Sequence, residues 1–139
     1  MLRIELLDWE TARAEASRIR YAVFVEEQRV PREMELDELD PQCVHALAFP
    51  REGVPVATGR LLPDSHIGRM AVLKDWRGRG IGGALLERLV AAARARGDRE
   101  VALSAQTHAL EFYRRHQFLE EGETYLDAGI PHRMMRRPL

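Results

Sequence analysis

The sequence predicts a single α/β domain built on one mixed β-sheet. Its 139 residues are enough for one hydrophobic core and one domain. The predicted elements follow the order strand, helix, three strands, helix, strand, short helix and two strands, which is typical of such a domain. No internal repeat, low-complexity segment or linker interrupts this order, so we expect one domain over residues 1–139.

The first half of the chain predicts one helix and four strands. Alternation of apolar and polar residues predicts a strand over 3–7. Apolar positions at helical spacing predict a helix over 11–25, and Pro31 then breaks the pattern. The next strands are predicted over 44–49, 54–62 and 67–73, the first two as a hairpin around the turn at 51–53.

The second half predicts a long helix, a strand, a short helix and two late strands. Ile81, Leu85 and Leu89 are spaced as on one helical face, and Gly97 and Asp98 end the helix predicted over 83–96. The remaining elements are predicted as a strand over 101–105, a short helix over 109–116, and strands over 119–126 and 132–136.

Composition indicates a soluble globular protein in a reducing compartment. Hydrophobic residues make up 45% of the chain and charged residues 31%, and the formal net charge is -1. The chain therefore lacks the overall positive charge that would favour nucleic-acid binding. No apolar run approaches the roughly 20 residues of a membrane helix. Cys43 is the single cysteine, and we expect it to be a small buried hydrophobe. Early acidic residues argue against a secretory signal, so we expect a cytoplasmic location without nucleic-acid or membrane partners.

Residues 77–83 form a glycine-rich turn between the predicted strand 67–73 and the helix that follows. Glycine lets the backbone turn tightly and lets another molecule approach closely. The first N–H groups of a helix lack partners within it, and the helix dipole favours negative charge there. The turn therefore predicts a site for a phosphate or pyrophosphate. Its members are Arg77, Gly78, Arg79, Gly80, Ile81, Gly82 and Gly83.

Two nucleotide-binding motifs are alternatives for this turn. A P-loop requires Gly-x-x-x-x-Gly-Lys-Ser/Thr, and no lysine or hydroxyl residue follows these glycines. The dinucleotide fingerprint matches Gly78, Gly80 and Gly83. However, the next acidic residue, Glu100, lies before the following strand, whereas ribose recognition needs an acidic residue after it. The context therefore argues against a dinucleotide site.

A third interpretation rests on two patterns that follow each other in the chain. Arg77, Gly80 and Gly82 fit Gln/Arg-x-x-Gly-x-Gly/Ala after a strand. Residues 109–118 fit Ala-x-x-Phe-Tyr-x-x-x-Gly-Phe, although Gln117 occupies the usual glycine position. Together these patterns resemble the acyl-CoA site of the GNAT N-acetyltransferase superfamily. Further segments, which extend the match over nearly the whole chain, are similar to its ElaA/YjcF-like branch: 22–31, 37–40, His45, 104–107 and 126–132.

The resemblance implies a fold and an activity. The fold would be a single GNAT-type domain, with a mixed, mostly antiparallel sheet splayed between two central parallel strands and flanked by helices. The activity would be direct transfer of an acetyl group from acetyl-CoA to a primary amine of a small-molecule acceptor. An acyl-CoA-binding regulatory module without turnover is the alternative function, and an exposed late strand could support a homodimer.

The resemblance also assigns cofactor-binding residues. Met70, Ala71 and Val72 would pair with the pantetheine arm, because a flexible amide chain can add to a strand edge. The turn 77–83 would bind the pyrophosphate. Tyr113 would be the general acid, since a phenol with a pKa near ~10 can protonate a thiolate while staying neutral itself. Gln106 and Phe112 complete the predicted cofactor site.

The general base is less well specified by the sequence. Glu27 and His45 are the leading candidates, and the other histidines considered are His66, His108 and His132. No group of residues has spacing typical of metal ligands, so we expect no metal. The acidic stretch over 26–40 could attract a cationic amine or could be a solvated loop.

Overall fold

The computed structural model describes residues 2–51 and 53–139, and it places them in seven strands and four α-helices. A π-helical segment, Tyr21–Glu27, continues the first helix. The strands are β1 (Arg3–Leu7), β2 (Val44–Phe49), β3 (Ala57–Leu61), β4 (Ile67–Val72), β5 (Glu100–Gln106), β6 (Leu119–Asp127) and β7 (Ile130–Pro138). The helices are α1 (Trp9–Arg20), α2 (Arg32–Glu35), α3 (Ile81–Ala95) and α4 (Leu110–Arg115).

The strands form two antiparallel sheets that meet along one short seam. The sheet orders are β1-β2-β3-β4 and β5-β7-β6. A single parallel bridge joins His66 to Ala102, where the Ala102 N–H donates to Ser65 O at 3.1 Å. Beyond that bridge β4 and β5 have no ladder pairing, so the two parallel strands diverge towards their carboxyl ends. This gap is called the wedge below, and it confirms the predicted sheet splayed between two central strands.

Helices cover both faces of the first sheet because β2 alternates between two apolar faces. Ala46 and Ala48 join the core beneath α3, whereas Leu47 and Phe49 join the core beneath α1. The predicted apolar face of α3 is confirmed, with its side chains fully or almost fully buried. These are Ile81, Leu85, Leu86, Leu89, Val90 and Ala93.

Several element boundaries differ from the sequence-based prediction, each for a local reason. α1 begins at Trp9 because the Asp8 carboxylate accepts the Thr11 N–H at 2.9 Å and caps the helix. β3 begins only at Ala57, since Pro55 has no N–H to donate to a ladder. α3 begins at Ile81, two residues earlier than predicted. The short helix α2 was not predicted.

Three further predictions concern the single cysteine, membrane spans and the exposed late strand. Cys43 is buried as predicted, and burial raises the pKa of its thiol. In the described part of the chain, no helix is long and apolar enough to span a bilayer. β6 lies at the outer edge of its sheet, and most of its residues are exposed. A homodimer through this edge stays a prediction.

Candidate active site

The glycine-rich turn leaves β4 and enters α3 with a row of free backbone donors. Gly78 and Gly80 have φ angles of 76° and 80°, the left-handed region in which a Cβ would be strained. Gly80 is the N-cap of α3 and has no side chain to satisfy the helix start. The first bond of the helix runs from Ala84 N–H to Gly80 O at 3.1 Å. The N–H groups of residues 81–83 therefore have no backbone partner in the described chain, which suits an anion.

The side chains of both arginines in the turn contact other residues of the chain. Arg77 makes a bidentate pair with Glu27, at 2.5 and 2.6 Å, and its Nε donates to Val72 O at 2.9 Å. The hydrogen bonds from Arg77 lower the pKa of the Glu27 carboxyl, and the same pair raises the pKa of Arg77. The Arg79 guanidinium lies over the Trp76 ring, 4.7 Å from its centroid. The groups left free for an anion at this turn are consequently backbone N–H groups.

Close packing against the first turn of α3 positions helix α4. A Cβ at Gly83 would lie 2.9 Å from His116 Nε2, so only glycine fits there without a shift. His116 Nδ1 bonds the Glu87 carboxylate at 2.7 Å, and the Phe112 ring packs against His116 with centroids 5.0 Å apart. This contact holds α4 beside the glycine turn, with Tyr113 on the same short helix.

Tyr113 is a half-buried phenol with no hydrogen-bond partner among the described residues. Its ring makes edge-to-face contacts with Phe112 and Phe118, at centroid distances of 5.0 and 6.0 Å. Burial raises the pKa of Tyr113 to about 12. The hydroxyl therefore keeps its proton at neutral pH and has a free donor to offer, as a general acid requires.

The edge of β4 that faces the wedge is open to pairing. β4 pairs with β3 through Ala71 and Val72, and the register then shifts at a bulge. Arg69 sits in this bulge with φ 49°, and its guanidinium donates to Glu35 O at 3.0 and 3.3 Å. The bulge turns β4 away from β5. Apart from Val72 O, which accepts from Arg77 Nε, backbone groups of residues 70–72 that face the wedge can thus accept an extended chain.

The far wall of the wedge ends at Gln106, which contacts a residue that sequence reasoning missed. Gln28 and Gln106 exchange amide hydrogen bonds of 2.9 and 3.3 Å, although they are 78 residues apart in the sequence. Gln28 directly follows the π-helical segment that carries Glu27. The pair therefore joins that segment to β5 at the mouth of the wedge. The only sequence signal for Gln28 was its place in the segment 22–31.

Cross-strand pairs identify the side chains around Gln106 on its face of the second sheet. Val101, Leu103 and Ala105 are buried against the α3 side, so alternate residues of β5 face the other way. Ser104 lies opposite Met134, Gln106 opposite His132, and His132 opposite Tyr125. This surface, called the open face, consists of Ser104, Gln106, Tyr125, His132 and Met134.

His45 lies far from solvent, and its surroundings do not suit a catalytic base. Its side chain is 1% exposed, its Nε2 lies 2.9 Å from Asp40 O, and its ring packs on Trp9. Burial lowers the pKa of His45, which keeps the imidazole neutral within the core. Glu27 likewise has both carboxylate oxygens bound to Arg77. A base must be reachable by the substrate and able to take up a proton; His45 is too deeply buried, and Arg77 stabilises the charged form of Glu27, so neither suits the role in this geometry.

The acidic stretch is largely neutralised by arginines of the sheet and of α1. Asp40 accepts hydrogen bonds from Arg20 and Arg60, and Asp37 accepts from Arg60. Burial would raise the pKa of Asp37, but hydrogen bonds from Arg60 and the Leu39 N–H outweigh it, and the pKa falls to about 2. Attraction of a cationic amine by this stretch therefore stays a prediction with weaker support than the sequence suggested.

The other candidate histidines lie in three different places. His66 lies near the closed end of the wedge, beside Asp64. His108 is exposed on the turn after β5. His132 is on the open face, next to Gln106. No group of three potential metal ligands occurs in residues 2–51 and 53–139, and the absence of a metal stays a prediction.

Comparison with known families agrees with this geometry. A family model described as an acetyltransferase (GNAT) domain matches residues 10–139. The chain belongs to the GNAT acetyltransferase family. Its antiparallel sheets also differ from the parallel sheet on which a dinucleotide fingerprint depends, so that alternative is wrong.

Individual relatives match this chain over almost its full length. YjcF of Bacillus subtilis, named as an uncharacterized N-acetyltransferase, is 41% identical over 124 residues, which cover 86% of this chain and 87% of YjcF. The crystal structure of an acyl-CoA N-acyltransferase from Pseudomonas aeruginosa has a TM-score of 0.87 at 34% identity, with 99% of both chains covered. Escherichia coli ElaA has the same TM-score at 29% identity and the same coverage.

These comparisons confirm the predicted superfamily, the fold and the class of enzyme. The protein is an acyltransferase of the GNAT family, and members of this family use acetyl-CoA. The roles of individual site residues and the nature of the acceptor are taken up as proposals below.

Proposed function

We propose that the protein transfers an acetyl group from acetyl-CoA directly to a primary amine of a small molecule. The observation that carries this proposal is the alignment of three features around the wedge. These are the free N–H groups at residues 81–83, the unpaired edge of β4 over 70–72, and the free hydroxyl of Tyr113. They match in turn a diphosphate, an amide-containing arm and a thiolate leaving group.

Different residues of the chain have different roles in the proposed reaction. The turn at 78–83 binds the diphosphate through backbone N–H groups, and the edge of β4 orients the pantetheine arm so that the thioester enters the wedge. A backbone N–H of that edge also supports the negative charge on the carbonyl oxygen during attack. Tyr113 donates its proton to the departing thiolate and regains one from solvent.

The Tyr113→Phe variant tests the catalytic part of this proposal. We expect kcat to fall by about 100-fold, because the leaving thiolate loses its proton donor. The dissociation constant for coenzyme A should stay the same, since the ring and its packing remain. Stopped assays of thiol release and calorimetric titration with coenzyme A measure the two quantities. Tyr21→Phe, at a 44% exposed tyrosine, is the matched control.

Two results would contradict the assignment. If Tyr113→Phe kept full kcat, the hydroxyl would have no role as an acid. If it lost coenzyme A binding as well as rate, Tyr113 would be a binding residue. The acceptor itself is found by screening amines with acetyl-CoA and measuring free thiol, and a panel with no turnover would count against a primary-amine acceptor.

A further inference from the structure

The open face contains a histidine with one ring nitrogen bound and the other free. His132 Nδ1 lies 2.7 Å from Ile130 O. A carbonyl oxygen can only accept, so the proton of the neutral ring resides on Nδ1. Nε2 then has a lone pair, and no side chain or backbone group in the described chain bonds to it. His132 is thus oriented in the way that a proton acceptor requires.

Position in the sheet brings this histidine to the mouth of the wedge. His132 lies directly opposite Gln106, the last residue of β5. Neighbouring strands are about 5 Å apart, so His132 is one strand away from the wall against which the thioester would lie. Gln106 contacts Gln28, and Glu27 just before it contacts Arg77 of the phosphate turn. One connected set of contacts therefore joins the open face to the cofactor site.

The neighbours of His132 fix its ring without using Nε2. The Tyr125 ring stacks on it at a centroid distance of 6.0 Å and an interplanar angle of 22°. The Tyr125 hydroxyl is itself hydrogen-bonded to Ser104, and Met134 Sδ lies 3.4 Å from it. These partners hold the tyrosine, and the tyrosine in turn limits rotation of the imidazole. The side chain of His132 is 8% exposed, so its ring has little freedom.

We propose that His132 is the general base that removes a proton from the acceptor amine. This inference rests on the proposed acetyl transfer and names a residue for the step that Glu27 and His45 do not fit. The protonated amine gives one proton to His132 Nε2, and its nitrogen lone pair then forms the C–N bond as the C–S bond breaks. His132 returns its proton to solvent, the second amine proton also leaves to solvent, and Tyr113 protonates the thiolate. One proton is released overall.

Several ionisable groups lie on the elements packed around His132. β6 contributes Tyr125, Asp127 and three glutamates, of which Glu121 lies opposite Met134 and accepts from Arg136. The turn after β5 contributes the exposed His108, and β7 itself contributes Arg133, which donates to Gly122 O, with Arg136 and Arg137 further along the strand. β5 contributes the neutral Gln106 on this face. Replacing His132 is therefore needed to show which change in rate with pH belongs to this residue.

The decisive experiment is a pH profile of kcat/KM with acetyl-CoA and 2-phenylethylamine, a primary amine whose flat apolar body suits Tyr125 and Met134. The wild type should level off once the base has lost its proton. His132→Gln should lose about 100-fold or more at neutral pH, and its rate should keep rising until the amine itself is neutral. KM for acetyl-CoA should not change. The matched control, His66→Gln at the closed end of the wedge, should keep the wild-type profile.

The proposal would be overturned if His132→Gln kept the shape of the wild-type profile, whatever its rate. A second measurement needs neither a variant nor turnover. Nitrogen NMR of the wild type should show the Nδ1–H tautomer of His132, and acetyl-CoA should shift the ring signals more than coenzyme A does. An Nε2–H tautomer, or signals that respond to neither ligand, would refute the role even if thiol release showed that the acetyl transfer was correct. Shifted signals without thiol release would count against the acceptor class alone.

Discussion

Arg77 stands first in the glycine-rich pattern, yet its side chain is bound to the protein. The guanidinium joins the end of β4, through Val72 O, to Glu27 on the π-helical segment. Because both Glu27 oxygens are occupied, the carboxylate holds the turn in place and is poorly suited to accept a proton. In the proposed function, the pair therefore positions the turn that binds the cofactor.

Replacing Glu27 by Gln should affect cofactor binding more than chemistry. The side chains of Arg77 and Glu27 are 40% and 35% exposed. A pair of this kind contributes about 0.2–1 kcal/mol, so KM for acetyl-CoA should rise by no more than about fivefold. The pH profile should stay unchanged. Steady-state kinetics measure both, with Glu15→Gln as the control because it removes a comparable exposed pair with Arg18. Loss of the acidic limb of the profile would show instead that Glu27 is the base.

Single residues were predictable where a local pattern fixes their role. The glycines at 78 and 80 do adopt the left-handed conformation that the turn needs, and Tyr113 does lie on a helix beside it. The tie between Gln28 and Gln106 could not be predicted, because it joins residues that only the folded chain brings together. The same is true of the contact between Nδ1 of His132 and the carbonyl of Ile130 at the start of β7, which depends on the local backbone geometry.

At the scale of elements, the segment between α1 and β2 is held by a buried ionic cluster. Arg20, Arg60 and Arg69 face Glu35, Asp37 and Asp40, and four of these six side chains are buried. The charges balance, so the cluster is neutral as a whole. It anchors α2 and, through Arg69, the bulge that turns β4 away from β5. The acidic stretch therefore stabilises the shape of the wedge.

Breaking this cluster should be costly. Asp40→Asn would leave Arg20 and Arg60 buried with too little negative charge, and we expect the free energy of unfolding to fall by about 3–5 kcal/mol. Urea unfolding measures the change. Glu111→Gln removes the exposed pair with Arg114 and should cost less than about 1 kcal/mol. Equal small effects of the two substitutions would mean that the cluster adds little to stability.

Helices and strands were predicted well where hydrophobic periodicity is strong, as in α3 and β2. The prediction was less accurate where hydrogen bonds determine the type or position of an element. The transition from α1 to a π-helix at Tyr21 changes the backbone bonding pattern without changing the apolar pattern. α2 is a single short turn whose position depends on the ionic cluster, which sequence periodicity does not report.

At the scale of the molecule, function depends on two sheets that touch at one end only. The bridge between His66 and Ala102 closes the wedge, and the bulge at Arg69 opens it. The glycine turn stands at the open end, α4 lies on one side, and the π-helical segment lies on the other. In the proposed function, this arrangement lets one bound acetyl-CoA contact backbone donors at its diphosphate and side chains at its thioester.

Calorimetric titration of the folded protein with coenzyme A, and separately with pantetheine, tests this account most directly. Pantetheine has the amide arm and thiol but lacks the diphosphate and the adenosine 3′-phosphate attached to it. Two charge-assisted hydrogen bonds from the turn, at about 1.5 kcal/mol each, predict that coenzyme A binds about 100-fold more tightly or better. Equal affinity for the two ligands, or no affinity for coenzyme A, would contradict the claim that the N–H groups at residues 81–83 bind the diphosphate.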